Sequence, residues 1–184
     1  DIDFYLAGKF ESEEYRKTFF NKVDQYNLME NVHYKGIVKG KDKHDLFLKS
    51  DVFCFPSFFS SESFGIVLLE AMMYQMPLIA SRWRGIQSVV KNGVNGYLVD
   101  VQNSEQIAIA LELLYTNRNL LQTMSQKSRS TMAYPVGRAF SAPPASFLPT
   151  RRMPTSRSDI SFLRAAWGLS GHITRRWESS LSTH

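Results

Sequence analysis

Two carboxylates, Glu62 and Glu70, flank a serine-rich turn with seven residues between them, and they could accept hydrogen bonds in a binding site. Residues 51–55 before the turn, which are apolar after Asp51, predict a buried strand, and the apolar run after Phe64 predicts a helix. A strand that enters a helix through such a turn leaves the first helical N–H groups free to bind an anion such as a diphosphate. We therefore expect an anion site at the sheet edge where open α/β folds bind ligands.

The spacing of the two glutamates also suits a larger ligand. In helical geometry they would lie roughly 12 Å apart along the axis, comparable to two sugar rings joined by a diphosphate. The alternative is that Glu62 only stabilises a helix N-terminus and that Glu70 is a solvated helix residue, which describes most such pairs. Apolar residues flank Glu70 on both sides, however, and a partly desolvated carboxylate without a partner is costly. A binding role is favoured for this reason.

The complete string around the glutamates resembles retaining glycosyltransferases of family 4, also called group 1. Their signature runs Pro-Ser, then Glu-x-Phe-Gly, then Glu-Ala-Met, and the matching residues here are 56–57, 62–65 and 70–72. Other segments that resemble the family are residues 4–8, 32–36, 77–81, 85–86 and 92–96. The resemblance covers roughly residues 3–130.

This resemblance implies a role for each residue of the string. Glu62 would be the catalytic residue and contact the donor sugar. Residues 63–66 would offer backbone N–H groups to the sugar and diphosphate, and Glu70 would bind the ribose hydroxyls. The implied donor-binding residues are Ser63, Phe64, Gly65, Ile66, Glu70 and Gly8. Such enzymes need no metal ion to bridge the diphosphate, so we expect no metal and no cofactor.

Residues 1–130 alternate between strand-like and helix-like segments, which predicts a Rossmann-like doubly wound parallel sheet with helices on both faces. The predicted strands are residues 2–7, 31–36, 51–55, 76–80 and 97–99. The predicted helices are residues 12–26, 42–48, 64–73, 86–91, 104–114 and 119–129, with Ser12 and Ser104 as N-caps. By resemblance this is the C-terminal half of a two-domain GT-B fold, without its first strand–helix unit and without the N-terminal acceptor domain.

The second predicted region is a basic tail rich in Ser, Pro and Arg, residues 131–184. It carries the whole net charge of +5, because it contains seven arginines and no lysine against Asp159 and Glu178. We expect an irregular or disordered tail, or one translated in a shifted frame, in which residues 161–167 could form a short helix. No recognised nucleic-acid module is present, so we expect no specific nucleic-acid partner.

Several other classes of protein are disfavoured. The single cysteine, Cys54, excludes a disulfide framework and fits a reducing compartment. The chain shows no signal peptide and no apolar run long enough to span a membrane, which predicts a soluble cytoplasmic protein with possible peripheral contact at the inner face of the membrane. His33 and His44 are better explained as surface residues than as metal ligands. No G-x-S-x-G elbow supports a serine hydrolase.

A loop predicted after the fourth strand contains Arg82, Trp83 and Arg84. Because this loop falls at the expected ligand edge, its arginines could contact a diphosphate. They could equally form a solvated rim or a cation–π pair with an exposed tryptophan. The sequence leaves both possibilities open.

Three functions remain open at this stage. The first is a glycosyltransferase that moves a sugar from a UDP-, GDP- or ADP-linked donor to a saccharide or lipid-linked acceptor in polysaccharide biosynthesis. The second is a nucleotide-sugar-binding module without turnover, and the third is a structural α/β interaction domain. The family's Arg and Lys that contact the diphosphate fall before residue 1, and the acceptor domain is missing. We therefore expect this chain to be inactive alone.

Overall fold

The computed structural model describes residues 2–60, 63, 65–132 and 163–169, which form one parallel sheet with helices packed on it. The strands are β1 (Ile2–Gly8), β2 (Val32–Gly36), β3 (Val52–Phe55), β4 (Leu78–Ser81), β5 (Gly96–Val99) and β6 (Leu163–Leu169). The helices are α1 (Glu13–Gln25), α2 (Gly40–Lys49), α3 (Ile66–Met73), α4 (Ile86–Val89), α5 (Ser104–Thr116) and α6 (Arg118–Met132).

The strand order is β2-β1-β6-β3-β4-β5, and every pair is parallel. From β1 the chain steps outward to β2, then crosses the sheet to β3 and steps outward in the opposite direction to β4 and β5. The direction of winding reverses between β1 and β3, which is where doubly wound sheets bind ligands. The predicted Rossmann-like fold is confirmed.

The hydrophobic core lies on both faces of the sheet. Along β3, Phe53 and Phe55 pack in a cluster with residues of α2, α3 and α4, whereas Val52 and Cys54 pack in a second cluster with residues of α5 and α6. This alternation follows from the two-residue period of a strand. Because helices cover both faces, every residue of β3 and β4 is buried, which explains why these strands are apolar apart from Ser81.

Helix starts were predicted correctly at one of the two serines. The Ser12 hydroxyl accepts a hydrogen bond from the backbone N–H of Tyr15 at 3.1 Å, as expected of an N-cap. Ser104 is instead the first helical residue of α5, and Asn103 caps the helix by accepting from the N–H of Gln106 at 3.0 Å. Asn and Ser are about equally good caps, so two in succession leave the start of a helix ambiguous by one residue.

The region after residue 130 differs from the expected irregular tail in two places. Helix α6 continues to Met132, so the expected boundary at residue 130 falls in its last turn. Residues 163–169 form β6 in the middle of the sheet, and the short helix expected there is wrong. Helix propensity is a weak preference that pairing with two neighbouring strands overrides.

Helix length and apolarity bear on whether the described residues could cross a membrane. No helix within them combines the length and the apolar character needed to cross a bilayer.

Candidate functional site

The turn between β3 and α3 ends at Gly65, the N-cap of the helix. Gly65 is buried and has a left-handed backbone with φ of +70°. A residue in this conformation cannot belong to a right-handed helix, so α3 begins at Ile66 rather than near Phe64 as predicted. Because the N-cap is a glycine, no side chain of that residue accepts from the first N–H groups of α3, and the first helical residue, Ile66, is exposed. These N–H groups therefore face the carboxyl edge of the sheet as candidate anion donors.

Close packing also requires glycine at this position. A Cβ on Gly65 would lie 3.1 Å from Cδ1 of Leu68 and 3.2 Å from Cε1 of Phe55. The chain thus needs a residue that tolerates positive φ and lacks a side chain. This double requirement brings the start of α3 directly against the end of β3.

Glu70 lies on the second turn of α3, where it forms an ion pair. The Nζ atom of Lys43, near the start of α2, donates to Oε1 of Glu70 at 2.7 Å. Both side chains are about a third exposed. The sequence predicted that this carboxylate would need a partner or ligand, but it did not identify Lys43. A contact between residues far apart in the chain leaves no local sequence signal.

A second polar contact joins the same two helices. The hydroxyl of Tyr74 lies 2.7 Å from Nδ1 of His44. Burial raises the pKa of Tyr74, with smaller contributions from the carboxylates of Glu70 and Asp45. Together with the Lys43–Glu70 pair, this contact fixes α2 against α3 beside the candidate site.

The serine-rich turn after β3 is anchored from the neighbouring strand β4. Ser57 and Ser81 are both buried, and the Ser81 hydroxyl donates to the Ser57 carbonyl. The indole N–H of Trp83 donates to the carbonyl of Phe59 at 2.9 Å. Trp83 is partly buried against the core cluster of α2, α3 and α4, so the expectation of an exposed tryptophan is wrong. The loop after β4 therefore supports the turn that leads into α3.

The two arginines beside Trp83 have different partners. Nε of Arg82 lies 3.3 Å from Oδ1 of Asp100. Hydrogen bonds from Gln106 and then Arg82 lower the pKa of Asp100. The guanidinium of Arg84 lies 5.5 Å from the centroid of the Trp83 ring. This geometry agrees with the cation–π alternative for Arg84 and places the Arg82 charge against Asp100.

Gly8 lies at the carboxyl end of β1, where its carbonyl accepts a hydrogen bond from the Tyr34 hydroxyl at 3.0 Å. The parallel strands bring Gly8 to the same edge as the turn after β3. Ser63 is exposed. Glu62 and Phe64, also predicted as site residues, lie outside the described residues.

Across residues 2–60, 63, 65–132 and 163–169, no three His, Cys, Asp or Glu side chains are grouped to hold a metal ion. His33 lies 3.5 Å from Oδ1 of Asp3 and stacks on Tyr5, while His44 contacts Tyr74. His33 and His44 therefore each have a partner within the described part of the fold.

Comparison with curated proteins identifies the family. Residues 1–131 match the model of glycosyl transferases group 1. An uncharacterised glycosyltransferase of Haemophilus influenzae is 29% identical over 130 residues, which are 70% of this chain and 35% of that protein. The phosphatidyl-myo-inositol mannosyltransferase of Mycobacterium leprae is 32% identical over 117 residues, which are 64% of this chain and 29% of its own. The chain thus spans about a third of the length of these relatives.

Solved structures share the fold at lower identity. The C-terminal domain of a group 1 family protein, LpcC of Francisella tularensis, aligns with a TM-score of 0.62 and 18% identity, covering 72% of this chain and 84% of that one. HepE of Anabaena, solved in complex with UDP-glucose, aligns with a TM-score of 0.64 and 24% identity, covering 70% and 35%. On the strength of the family match, this chain belongs to the group 1 glycosyltransferases.

Proposed function

We propose that this chain binds a nucleotide sugar and supplies the donor-binding, C-terminal half of a retaining GT-B glycosyltransferase of family 4. The observation that carries the proposal is the placement of Glu70 and the start of α3 beside the point where the sheet reverses its winding. HepE, which shares the fold, was solved in complex with UDP-glucose. Membership of the group 1 family supports sugar transfer as the reaction.

In this proposal the donor diphosphate lies at the N-terminus of α3. The backbone N–H groups from Ser63 to Ile66 donate to its oxygens, and the helix dipole favours its negative charge. The left-handed Gly65 lets the chain turn sharply from the end of β3 into α3 at this edge. Gly8, at the end of β1, borders the donor from the other side.

Glu70 binds the ribose of the donor. Its Oε1 is held by Lys43, while a carboxylate has enough lone pairs for Oε2 to accept a ribose hydroxyl. The ammonium group keeps the carboxylate oriented and reduces its repulsion of the nearby diphosphate. This arrangement explains why a charged residue occupies a helix with buried neighbours at Leu69 and Ala71.

Transfer itself requires groups beyond the described residues. By family resemblance, Glu62 contacts the donor sugar and stabilises the transition state, and the configuration at the anomeric carbon is retained. The acceptor, a saccharide or a lipid-linked sugar, binds to a separate domain, and by the same resemblance an Arg and a Lys of the donor-binding domain contact the diphosphate. We propose that this chain is inactive alone, needs no metal or cofactor, and works in polysaccharide assembly in the cytoplasm, with peripheral contact at the inner membrane face.

Calorimetric titration of the full chain tests the donor site. UDP, GDP, ADP, UDP-glucose and GDP-mannose are added in buffer without divalent metal, and saturable binding of one nucleotide is expected. Glu70→Gln is expected to weaken that binding by about 1–3 kcal/mol, because the ribose hydroxyls lose an ionised acceptor. Glu112→Gln, an exposed glutamate on α5, is the matched control and leaves affinity unchanged. A folded chain without saturable binding would contradict donor binding.

A further inference from the structure

The middle of the sheet is filled by a strand from outside the family match. That match ends at residue 131, whereas β6 spans Leu163–Leu169. β1 pairs with β2 on one side and with β6 on the other, and β3 pairs with β4 and β6. The family-matched residues thus form two blocks, β2-β1 and β3-β4-β5, that β6 joins into one sheet.

The pairing of β6 is regular on both sides. Against β1 the register runs without interruption from Ile2↔Leu163 to Gly8↔Leu169. Against β3 it runs from Val52↔Ala165 to Cys54↔Trp167. Because neighbouring strands are about 4.8 Å apart, β1 and β3 are separated by about 10 Å and cannot hydrogen-bond to each other directly.

The two strand edges that β6 covers lie in the core. Tyr5 and Leu6 of β1 are 3% and 5% exposed, and Val52 and Cys54 of β3 are fully buried. Backbone N–H and C=O groups at such positions are costly to leave without partners. Uncovered strand edges of this kind are also templates for pairing with another strand.

We propose that the space between β1 and β3 is a strand-binding site, and that residues 163–169 of the same chain are its occupant and position the donor-binding edge. Leu169 lies in register with Gly8, and Trp167 lies in register with Cys54, one residue before the end of β3. The strand therefore sets the separation between Gly8 and the turn that leads to α3. This positioning role rests on the proposed donor site, whereas occupancy of the strand site does not.

Hydrogen exchange of the full chain tests occupancy. The amides of residues 163–169 are expected to exchange as slowly as those of β3, because both lie inside the sheet. Rapid exchange of residues 163–169 in a chain whose β3 amides are protected would overturn the proposal. Size-exclusion measurements accompany the exchange, since protection that appears only in a dimer would mean that a second copy supplies the strand.

Two proline variants, Ala165→Pro and Ala166→Pro, test the pairing on each side. Successive N–H groups of a central strand point to opposite neighbours, so one variant loses a bond to β1 and the other a bond to β3. Exchange of residues 163–169 is expected to accelerate on the order of 100-fold in either variant. Ala142→Pro, which adds a proline beside the existing Pro143 and Pro144, is the control and leaves exchange unchanged. Equal exchange in all three variants would contradict the pairing.

Nucleotide titration of the same variants separates this proposal from the proposed function. If the original chain binds UDP, the two strand variants are expected to bind it at least about tenfold more weakly, while Ala142→Pro binds normally. Undiminished binding with lost protection would overturn the positioning role. If residues 163–169 are protected but no nucleotide binds, the strand site stands and the donor-binding function fails.

Discussion

The ammonium nitrogen of Lys43 lies 2.7 Å from Oε1 of Glu70, and this contact joins α2 to α3 beside the candidate donor site. Each side chain is about a third exposed, and ion pairs with that much solvent contact contribute at most about 1 kcal/mol to stability. Holding the fold together is therefore a minor role for this pair. The pair instead lies where Lys43 can orient the carboxylate of Glu70, which we propose binds the ribose.

Replacing Lys43 by methionine tests whether Lys43 orients Glu70. Lys43→Met is expected to weaken UDP binding by about 1–2 kcal/mol, because the charge-assisted contact that orients Glu70 is lost. The free energy of unfolding measured with urea should change by less than about 1 kcal/mol. The matched control is Lys41→Met, since Lys41 is exposed on the same helix and pairs with Asp45 instead.

A double-mutant cycle gives the sharper result. If Lys43 acts through Glu70, adding Lys43→Met to Glu70→Gln should cost less affinity than Lys43→Met costs alone. Additive losses would show that the two residues affect the nucleotide independently. Equal losses of nucleotide affinity in Lys41→Met and Lys43→Met would show that the effect comes only from removing a positive charge.

Substitution of Gly65 tests the start of α3. Gly65→Ala is expected to destabilise the chain by about 2–4 kcal/mol in urea unfolding, because a side chain meets both positive φ and the contacts with Leu68 and Phe55. Gly93→Ala is the control for backbone strain alone. Gly93 has φ of +76° and open space around its Cβ position, so Gly93→Ala is expected to lose only about 1–2 kcal/mol of unfolding free energy. Equal losses of unfolding free energy in the two variants would mean that close packing at Gly65 does not add to the effect of backbone strain.

The anchor of the serine-rich turn provides a further test. Ser81→Ala removes the hydroxyl that donates to the Ser57 carbonyl, and Ser128→Ala removes one that donates to the Met76 carbonyl at 2.7 Å. Both serines are buried, so each variant should lose about 1–3 kcal/mol of unfolding free energy. Only Ser81→Ala is expected to weaken nucleotide binding as well, because only Ser81 contacts the turn that leads to α3. Equal nucleotide affinities in the two variants would contradict a role for this anchor.

Alkaline pH tests the burial of Cys54. Burial raises the pKa of this thiol from 9.0 to about 12. Above pH 9 the unfolded chain loses this proton while the folded chain keeps it. The contribution of the protonated thiol to the unfolding free energy is therefore fully present below pH 9 and is lost as the pH rises toward 12. The unfolding free energy of the original chain is expected to fall faster than that of Cys54→Ala, by about 1.4 kcal/mol per pH unit. A constant difference between pH 8 and 10.5 would contradict burial of the thiol.

The sequence was most informative where structure is determined locally. The apolar residues that follow Asp51 predict β3, although the strand begins at Val52 rather than at residue 51, and the cap at Ser12 predicts the start of α1. Apolar periodicity predicts a start of α3 near Phe64, because it cannot show that Gly65 adopts a left-handed backbone. These differences of one or two residues come from the conformations at the ends of elements rather than from their interiors.

Features that depend on tertiary contacts could not be predicted. Lys43 is one of several lysines on and around α2, and only the packing of α2 against α3 distinguishes it as the partner of Glu70. The residues of β6 have a composition that also suits a helix, so their role depends on the two strand edges that they join. Trp83 looked exposed because its neighbours in sequence are charged, yet its indole N–H bonds to the Phe59 carbonyl.

The pairing of Ile2 with Leu163 has a consequence for biosynthesis. The strand that completes the pairing of β1 is translated about 160 residues after β1, and closing so long a loop carries an entropic cost. The topology therefore has a high contact order, which predicts slow folding. Until residue 169 has emerged, β6 cannot cover the facing edges of β1 and β3, and we expect chaperones to bind the nascent chain during that interval.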